Sequence, residues 1–179
     1  MSGHNKWSKI KHKKGATDAQ RSRIFSKHSA LITMEVKKNG GNTSSASVLA
    51  CIDRAKKDSM PKDVIERALA KGSGADGSTL EEITYEGYGP GGVAFLIQTV
   101  TDNPNRTTPE IRHIFSKAGF ELGTPGSASW AFTKTNEGYV PSNPMEVDAE
   151  TGEKLSEFIE KLEDQDDVTD IYTTADTPE

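Results

Sequence analysis

Between residues 17 and 72 the apolar positions recur at helical spacing, and after residue 80 the period changes. Ile24, Phe25, His28, Leu31, Ile32 and Val36 share one helix face; Thr17 and Gln20 open that helix as a capping box, and Gly40-Gly41 stops it. A second helix follows Asn42–Ser45, with Val48, Leu49, Ile52 and Ala55 on its apolar stripe. A third has Pro61 in its first turn, where the missing N–H costs nothing, carries Val64, Ile65, Ala68 and Leu69, and ends at Gly72. Short amphipathic helices bury their stripes only against one another or a neighbour, so this stretch predicts a small three-helix bundle. Residues 73–80, GSGADGST, have the composition of a linker.

From residue 81 the pattern becomes that of strands and helices together. Glu82–Tyr88 puts Ile83 and Tyr85 on one strand face, and the Gly-rich run at 87–92 makes a tight connection to Val93–Val100, a nearly continuous apolar run that suits a central strand. Thr107 with Glu110 predicts a capped helix start with Pro109 in the first turn; Ile111, Ile114, Phe115 and Ala118 give its apolar face, and Gly119 closes it. Ala128, Trp130 and Phe132 alternate with small polar residues and predict a strand, Met145–Val147 a short one. Leu155, Phe158, Ile159 and Leu162 mark a last helix and Val168–Tyr172 a last strand. The fold class is therefore α+β: an N-terminal three-helix bundle (17–72), a linker (73–80), and an α+β domain (81–179) with a mostly antiparallel sheet. No internal repeat shows at a period of roughly 20–50 residues.

Charge changes the picture most. The net charge of −5 conceals a partition: residues 1–72 hold 16 of the 22 Lys and Arg but 6 of the 27 Asp and Glu, while residues 73–179 hold 6 and 21. Residues 1–16 contain no acid, and Trp7 and Ile10 are their only sizeable apolar residues past Met1, too few for a core; they read as a basic arm. Lys6, Lys9, Lys11, Lys13 and Lys14, with His12 and Trp7 among them and Arg21, Arg23 and Lys27 on the first helix, are the candidate nucleic-acid contacts. Long cations release counterions when they neutralise phosphates. Trp7 either stacks on an unpaired base or folds back with Ile10 onto the bundle. Arg54, Lys56, Lys57, Lys62, Arg67 and Lys71 continue the positive charge along the second and third helices.

Other chemistries find no support. The run at 87–92 lacks the phosphate-loop order and reads as a strand connection. Four His and one Cys show no metal-ligand spacing; Cys51 reads as a small buried filler, His28 as a satisfied core histidine and His113 as a surface or packing residue. Asp164, Asp166 and Asp167 read as a solvated acidic end, and Arg106 and Arg112 as lying outside the binding surface. No catalytic constellation, cofactor or metal is expected, and no apolar run is long enough to span a membrane, so the cytoplasm is the expected compartment.

Five blocks carry a resemblance. Gly3–Lys14, Ser59–Ala68, Tyr85–Val93, Asn105–Thr107 with Arg112–Lys117, and Gly123–Phe132 stand in order over residues 1–132, and the chain resembles the YebC/PmpR family in all of them; Glu153–Tyr172 resembles its last helix and strand. The resemblance implies a nucleic-acid-binding regulator, either a DNA-binding transcriptional regulator or a ribosome- or RNA-associated translation factor acting at difficult proline-rich stretches. It also implies a longer chain with a third α+β domain after the Trp-x-Phe strand. Here Thr133–Pro144 joins the two flanks almost directly, so that domain is expected to be absent. A protein-interaction adaptor, with an arm that serves only solubility, is the alternative from another class.

Overall fold

The computed structural model describes residues 17–74 and 79–176. The Lys-rich arm and the centre of the linker lie outside the described residues. One compact unit runs to Glu82 and takes in Val100–Pro104; the other holds Ile83–Thr99 and the chain from Asn105 onward.

The first unit is built on α1 (Asp18–Lys38), α2 (Ala46–Lys57) and α3 (Lys62–Ser73). The capping box forms at α1: the Thr17 side chain accepts from Gln20 N at 3.3 Å and Gln20 Oε1 accepts from Thr17 N at 2.8 Å. Ser45 caps α2 by accepting from Val48 N. Ile32, Val36, Val48, Ile52, Ala55, Ile65 and Ala68 form the bundle core, with Cys51 buried among them and Met60 closing one end. His28 is satisfied, as its place on the apolar face requires, by a 2.6 Å contact from Nε2 to Asp58 Oδ2.

Three details of the bundle differ from the pattern-based expectation. Leu49 is 49% exposed, because the stripe of α2 turns through Val48, Cys51, Ile52 and Ala55 and leaves it outside. Pro61 occupies the N-cap of α3 rather than its first turn. Gly72 does not end α3, which continues to Ser73; it is a point of close approach between α3 and α1. A Cβ there would stand 2.6 Å from Val36 Cβ and 2.9 Å from Thr33 O. Replacing Gly72 by Ala should therefore destabilise the bundle by about 1–3 kcal/mol, overpacking outweighing the gain in helix propensity. Urea unfolding monitored by helical circular dichroism checks this.

Two helices of this unit end in the same device. At α1, Gly40 N bonds Lys37 O and Gly41 N bonds Val36 O; at α2, Ser59 N bonds Lys56 O and Met60 N bonds Ala55 O. Both are Schellman closures, which need a left-handed residue just past the cap. Gly40 takes that role at φ 63°, and so does Ser59, also at φ 63°. A β-carbon is strained there, so Ser59→Gly is expected to raise stability by about 0.5–1 kcal/mol, read as a higher denaturation midpoint with an unchanged slope.

The second unit is organised by β2 (Ala94–Thr101), the centre of a sheet with order β1-β2-β6, where β1 is Glu81–Tyr88 and β6 is Val168–Thr173. β2 and β6 are antiparallel, pairing Phe95 with Thr173 and Ile97 with Ile171. The near-continuous apolar run of β2 is explained by cover on both faces. Phe95 and Ile97 point into a core with Ile111 and Phe115 of α4 (Pro104–Lys117) and Leu155, Phe158, Ile159 and Leu162 of α5 (Ala149–Glu163). Phe158 meets Phe95, Phe115 and Phe120 edge to face at centroid distances of 5.2, 5.0 and 5.9 Å. Ala94 and Leu96 point the other way, against Ala128, Ala131, Phe132 and Tyr172. The hairpin β3 (Phe132–Thr135) and β4 (Gly138–Pro141) lies on that side, and the short parallel pair β5 (Met145–Glu146) and β7 (Ala175–Asp176) completes the unit.

The helix predicted to start at Thr107 starts at Pro104, whose fixed φ suits a first helical position. Thr107 is then free to turn inward, and it is buried. The strand predicted through Ala128, Trp130 and Phe132 begins only at Phe132; Ser129–Ala131 is a turn of 3₁₀ helix, because the backbone N–H groups before it are claimed by a side chain. Asp167 is not part of a solvated end. It accepts from Arg106 Nη2 at 3.0 and 3.1 Å and from Thr107 Oγ1 at 2.7 Å, tying the start of α4 to the start of β6.

Candidate nucleic-acid interface

Of the candidate contacts, Lys6, Trp7, Lys9, Lys11, His12, Lys13 and Lys14 lie outside the described residues, and Arg21, Arg23 and Lys27 stand on α1. Helix geometry sorts these three. Arg23 and Lys27 are four residues apart and share a face, while Arg21 projects from another. Arg21 is exposed; Arg23 and Lys27 are half-buried.

The remaining cations of the bundle do not form a single-signed stripe. On α3, Lys62 pairs with Glu66 at 3.6 Å and Arg67 with Asp63 at 3.1 Å, both one turn away. Lys38 pairs with Glu82. Lys37 and Lys38, then Arg54, Lys56 and Lys57, and finally Lys71 occupy the last turns of the three helices, where they also compensate the carbonyl ends. Exposed pairs of this kind contribute about 0–1 kcal/mol, so a phosphate can displace the acid at little cost.

The second unit carries a site that charge patterning did not reveal. Glu86, on β1, is buried, and its carboxylate accepts three backbone N–H bonds: Gly126 to Oε1 at 2.9 Å, and Ala128 and Ser129 to Oε2 at 2.8 Å each. Its own carbonyl accepts from Gly123 N at 2.8 Å. Burial alone would raise the carboxyl pKa, but these bonds, with help from the Ser129 side chain, outweigh it and hold the group below its ordinary range. The segment thus clamped presents Trp130, 70% exposed, beside Tyr88, 37% exposed. Trp130 Nε1 donates to Tyr88 Oη and to Ser127 O at 3.0 Å each, and Tyr88 Oη donates to Ser127 O at 2.7 Å. The sequence did hold a signal. Ile83 and Tyr85 face one way, so Glu86 falls on the opposite face of a sheet whose central strand is apolar on both sides. A carboxylate in that position needs donors from the backbone.

A second carboxylate is shifted in the same direction. Burial works to raise the Asp167 pKa, and Thr107, Arg106 and Gln165 together overcome it, so Asp167 too is lowered. Among the described residues no group of three or more His, Cys, Asp and Glu could hold a metal ion, and no helix is long and apolar enough to cross a membrane.

The bundle matches the TACO1/YebC protein N-terminal domain over residues 5–75, and the rest of the chain matches the TACO1/YebC second and third domain over residues 80–137 and 134–175. The chain belongs to the TACO1/YebC family. A relative in Desulfatibacillum aliphaticivorans is 46% identical over 180 residues, taking in 98% of this chain and 72% of the relative. Another, in Syntrophus aciditrophicus, is 38% identical over 242 residues, taking in all of this chain and 97% of the relative. Both are named "Probable transcriptional regulatory protein". The crystal structure of a conserved hypothetical protein from Aquifex aeolicus matches with a TM-score of 0.77 at 29% identity, over 90% of this chain and 93% of that one. For a TACO1/YebC chain, then, an N-terminal helical part followed by an α+β part is the expected build, and both are present here.

Proposed function

We propose that the chain is a non-enzymatic, cytoplasmic regulator that binds nucleic acid through its N-terminal arm and first helix. The charge partition carries this reading: 16 of the 22 cations stand in residues 1–72, with only 6 acids, and the rest of the chain would repel phosphate. The relatives' names favour a transcriptional regulator, and for such a role we take duplex DNA as the nucleic acid bound. A second reading, an RNA- or ribosome-associated translation factor, is favoured by one observation. Trp7 stands among Lys6, Lys9 and Lys11, and a ring amid long cations suits stacking on an unpaired base, as in single-stranded or structured RNA.

Sedimentation of the tagged protein from lysate through a sucrose gradient, with and without RNase, separates the two. Co-migration with ribosomal particles that survives moderate salt and is lost with RNase supports the translation role. Recovery only near the top of the gradient, with retention on duplex DNA, supports the transcriptional one, and retention on neither nucleic acid sinks both.

The chain is also a short form of the family. The alignment with the Syntrophus relative runs over 242 residues against 179 here, and the two matched pieces of the second region overlap at 134–137, the end of β3 and the turn that follows it. We place the missing segment at that turn.

A further inference from the structure

Two side-chain contacts pin α1 against α2. Asn39 Nδ2 donates to Ser47 Oγ at 3.1 Å near the turn between them, and His28 Nε2 meets Asp58 Oδ2 at 2.6 Å at the far end of α2. Residues 18–27 of α1 precede His28, and at about 1.5 Å per residue they carry the helix roughly 15 Å past the end of α2. The overhang and the α2 terminus make a corner. Helix geometry says which side chains of α1 enter it. Arg21 lies two turns before His28 and about 20° around the axis from it, so it shares the face that meets the end of α2. Arg23 and Lys27 are turned away from that face by roughly 140° and 100°. Both are half-buried, and each has a partner within the chain.

The other wall of the corner is the last turn of α2, where Lys56 and Lys57 directly precede Asp58. Arg21, Lys56 and Lys57 are exposed, and none of the three forms an ion pair among the described residues. On α3, by contrast, Lys62 and Arg67 each have an acid one turn away. The carbonyl end of α2 is closed without the two lysine side chains, because Ser59 N and Met60 N bond Lys56 O and Ala55 O. Asp58, the acid beside them in sequence, is taken up by His28. Long cations on two walls, with no acid of their own, suit a phosphodiester backbone, whose neutralisation releases counterions. We propose that Arg21, Lys56 and Lys57 form a backbone-phosphate site of the bundle, at the end where the Lys-rich arm joins α1, and that the His28–Asp58 contact holds its two walls together. The site positions a nucleic acid and reads no bases. The inference rests on the nucleic-acid reading above and divides its candidates: Arg21 belongs to the contact surface, Lys56 and Lys57 join it, and Arg23 and Lys27 stand outside it.

The test is fluorescence anisotropy of the full chain with a labelled DNA duplex and a labelled RNA hairpin, from low to moderate salt. Arg21→Gln, Lys56→Gln and Lys57→Gln together are expected to lower the slope of log affinity against log salt by about 2 to 3, on whichever probe the parent binds, and to weaken binding roughly tenfold or more at physiological salt. Arg21→Lys alone is expected to keep the parent slope, and Arg23→Gln with Lys27→Gln to lower it by much less than the triple variant. The three corner positions are exposed, so helical circular dichroism of the triple variant is expected to match the parent's. A triple variant that keeps the parent slope overturns the site and leaves the nucleic-acid reading standing. A loss of affinity without a change of slope overturns it too, since no phosphate contact has then been removed. So does an equal fall of slope in the Arg23–Lys27 variant, because the charge of α1 would then act without regard to its face. A parent that binds neither probe overturns the nucleic-acid reading and the site together.

Discussion

Replacing Lys9, Lys11, Lys13 and Lys14 together by Gln is expected to weaken nucleic-acid binding by roughly two to three orders of magnitude at physiological salt and to flatten its salt dependence. Each cation that neutralises a phosphate contributes about 0.7 to 0.9 to the slope of log affinity against log salt, so losing four contacts should cut that slope by about 3. Fluorescence anisotropy with labelled duplex and single-stranded oligonucleotides, from low to moderate salt, reads both quantities. The slope decides more than the affinity does, because misfolding would lower affinity without removing a fixed number of released counterions. The control is Lys62→Gln with Lys71→Gln on α3, both exposed; the first of these already has Glu66 beside it. That pair should change the slope by much less. If the arm variant binds as tightly as the parent at every salt, the arm serves solubility only and the adaptor reading takes its place.

The elements were legible where one residue class repeats with one period. The capping box of α1, the stripe of Ile32 and Val36, and the doubly apolar β2 follow from spacing alone, and so does β2's central place in the sheet. Legibility failed where a tertiary partner redefines a local signal. Thr107 has the spacing of a cap, yet its hydroxyl serves Asp167 from inside α4, and Pro104 takes over the helix start. Trp130 alternates as a strand residue would, yet its neighbours' N–H groups belong to Glu86. Gly72 looks like a stop and is a contact, since what matters there is Val36 on another helix. Each of these three failures involves a residue or segment whose partner lies far away in sequence, from 36 positions for Gly72 to 60 for Thr107. The candidate interface was legible as charge, and the Glu86–Trp130 loop was not, because its chemistry lies in backbone donors that composition does not display.

Glu86 supplies the largest effect expected on the fold. In Glu86→Gln the amide oxygen can keep the two bonds that Oε2 now receives from Ala128 and Ser129, but its NH₂ then faces the N–H of Gly126, donor against donor. Bonds to a charged acceptor contribute about 1.5–3 kcal/mol each, and a buried donor left unpaired costs about 1–3 kcal/mol more, so a loss of about 3–4 kcal/mol is expected. At this chain length each kcal/mol corresponds to about 2–4 °C, which puts the drop in Tm near 10 °C, followed by calorimetry and by the near-ultraviolet signal of Trp130. The pH dependence gives an independent check. A carboxyl held below its ordinary value of 4.5 in the folded state contributes stability that is fully present above that value and is lost as pH falls through the lower folded value. The gap between parent and Glu86→Gln should therefore be widest above about pH 5 and should narrow on acidification, where the parent carboxyl also becomes a donor facing donors. A gap that stays constant down to pH 3 would mean the carboxylate's charge is not what holds the Trp130 loop. A Glu86→Gln protein with unchanged Tm but a mobile Trp130 would confine Glu86 to shaping the aromatic face. In that case the loop bonds would pre-set the aromatic face while the core, centred on Phe158, carries the stability of the unit on its own.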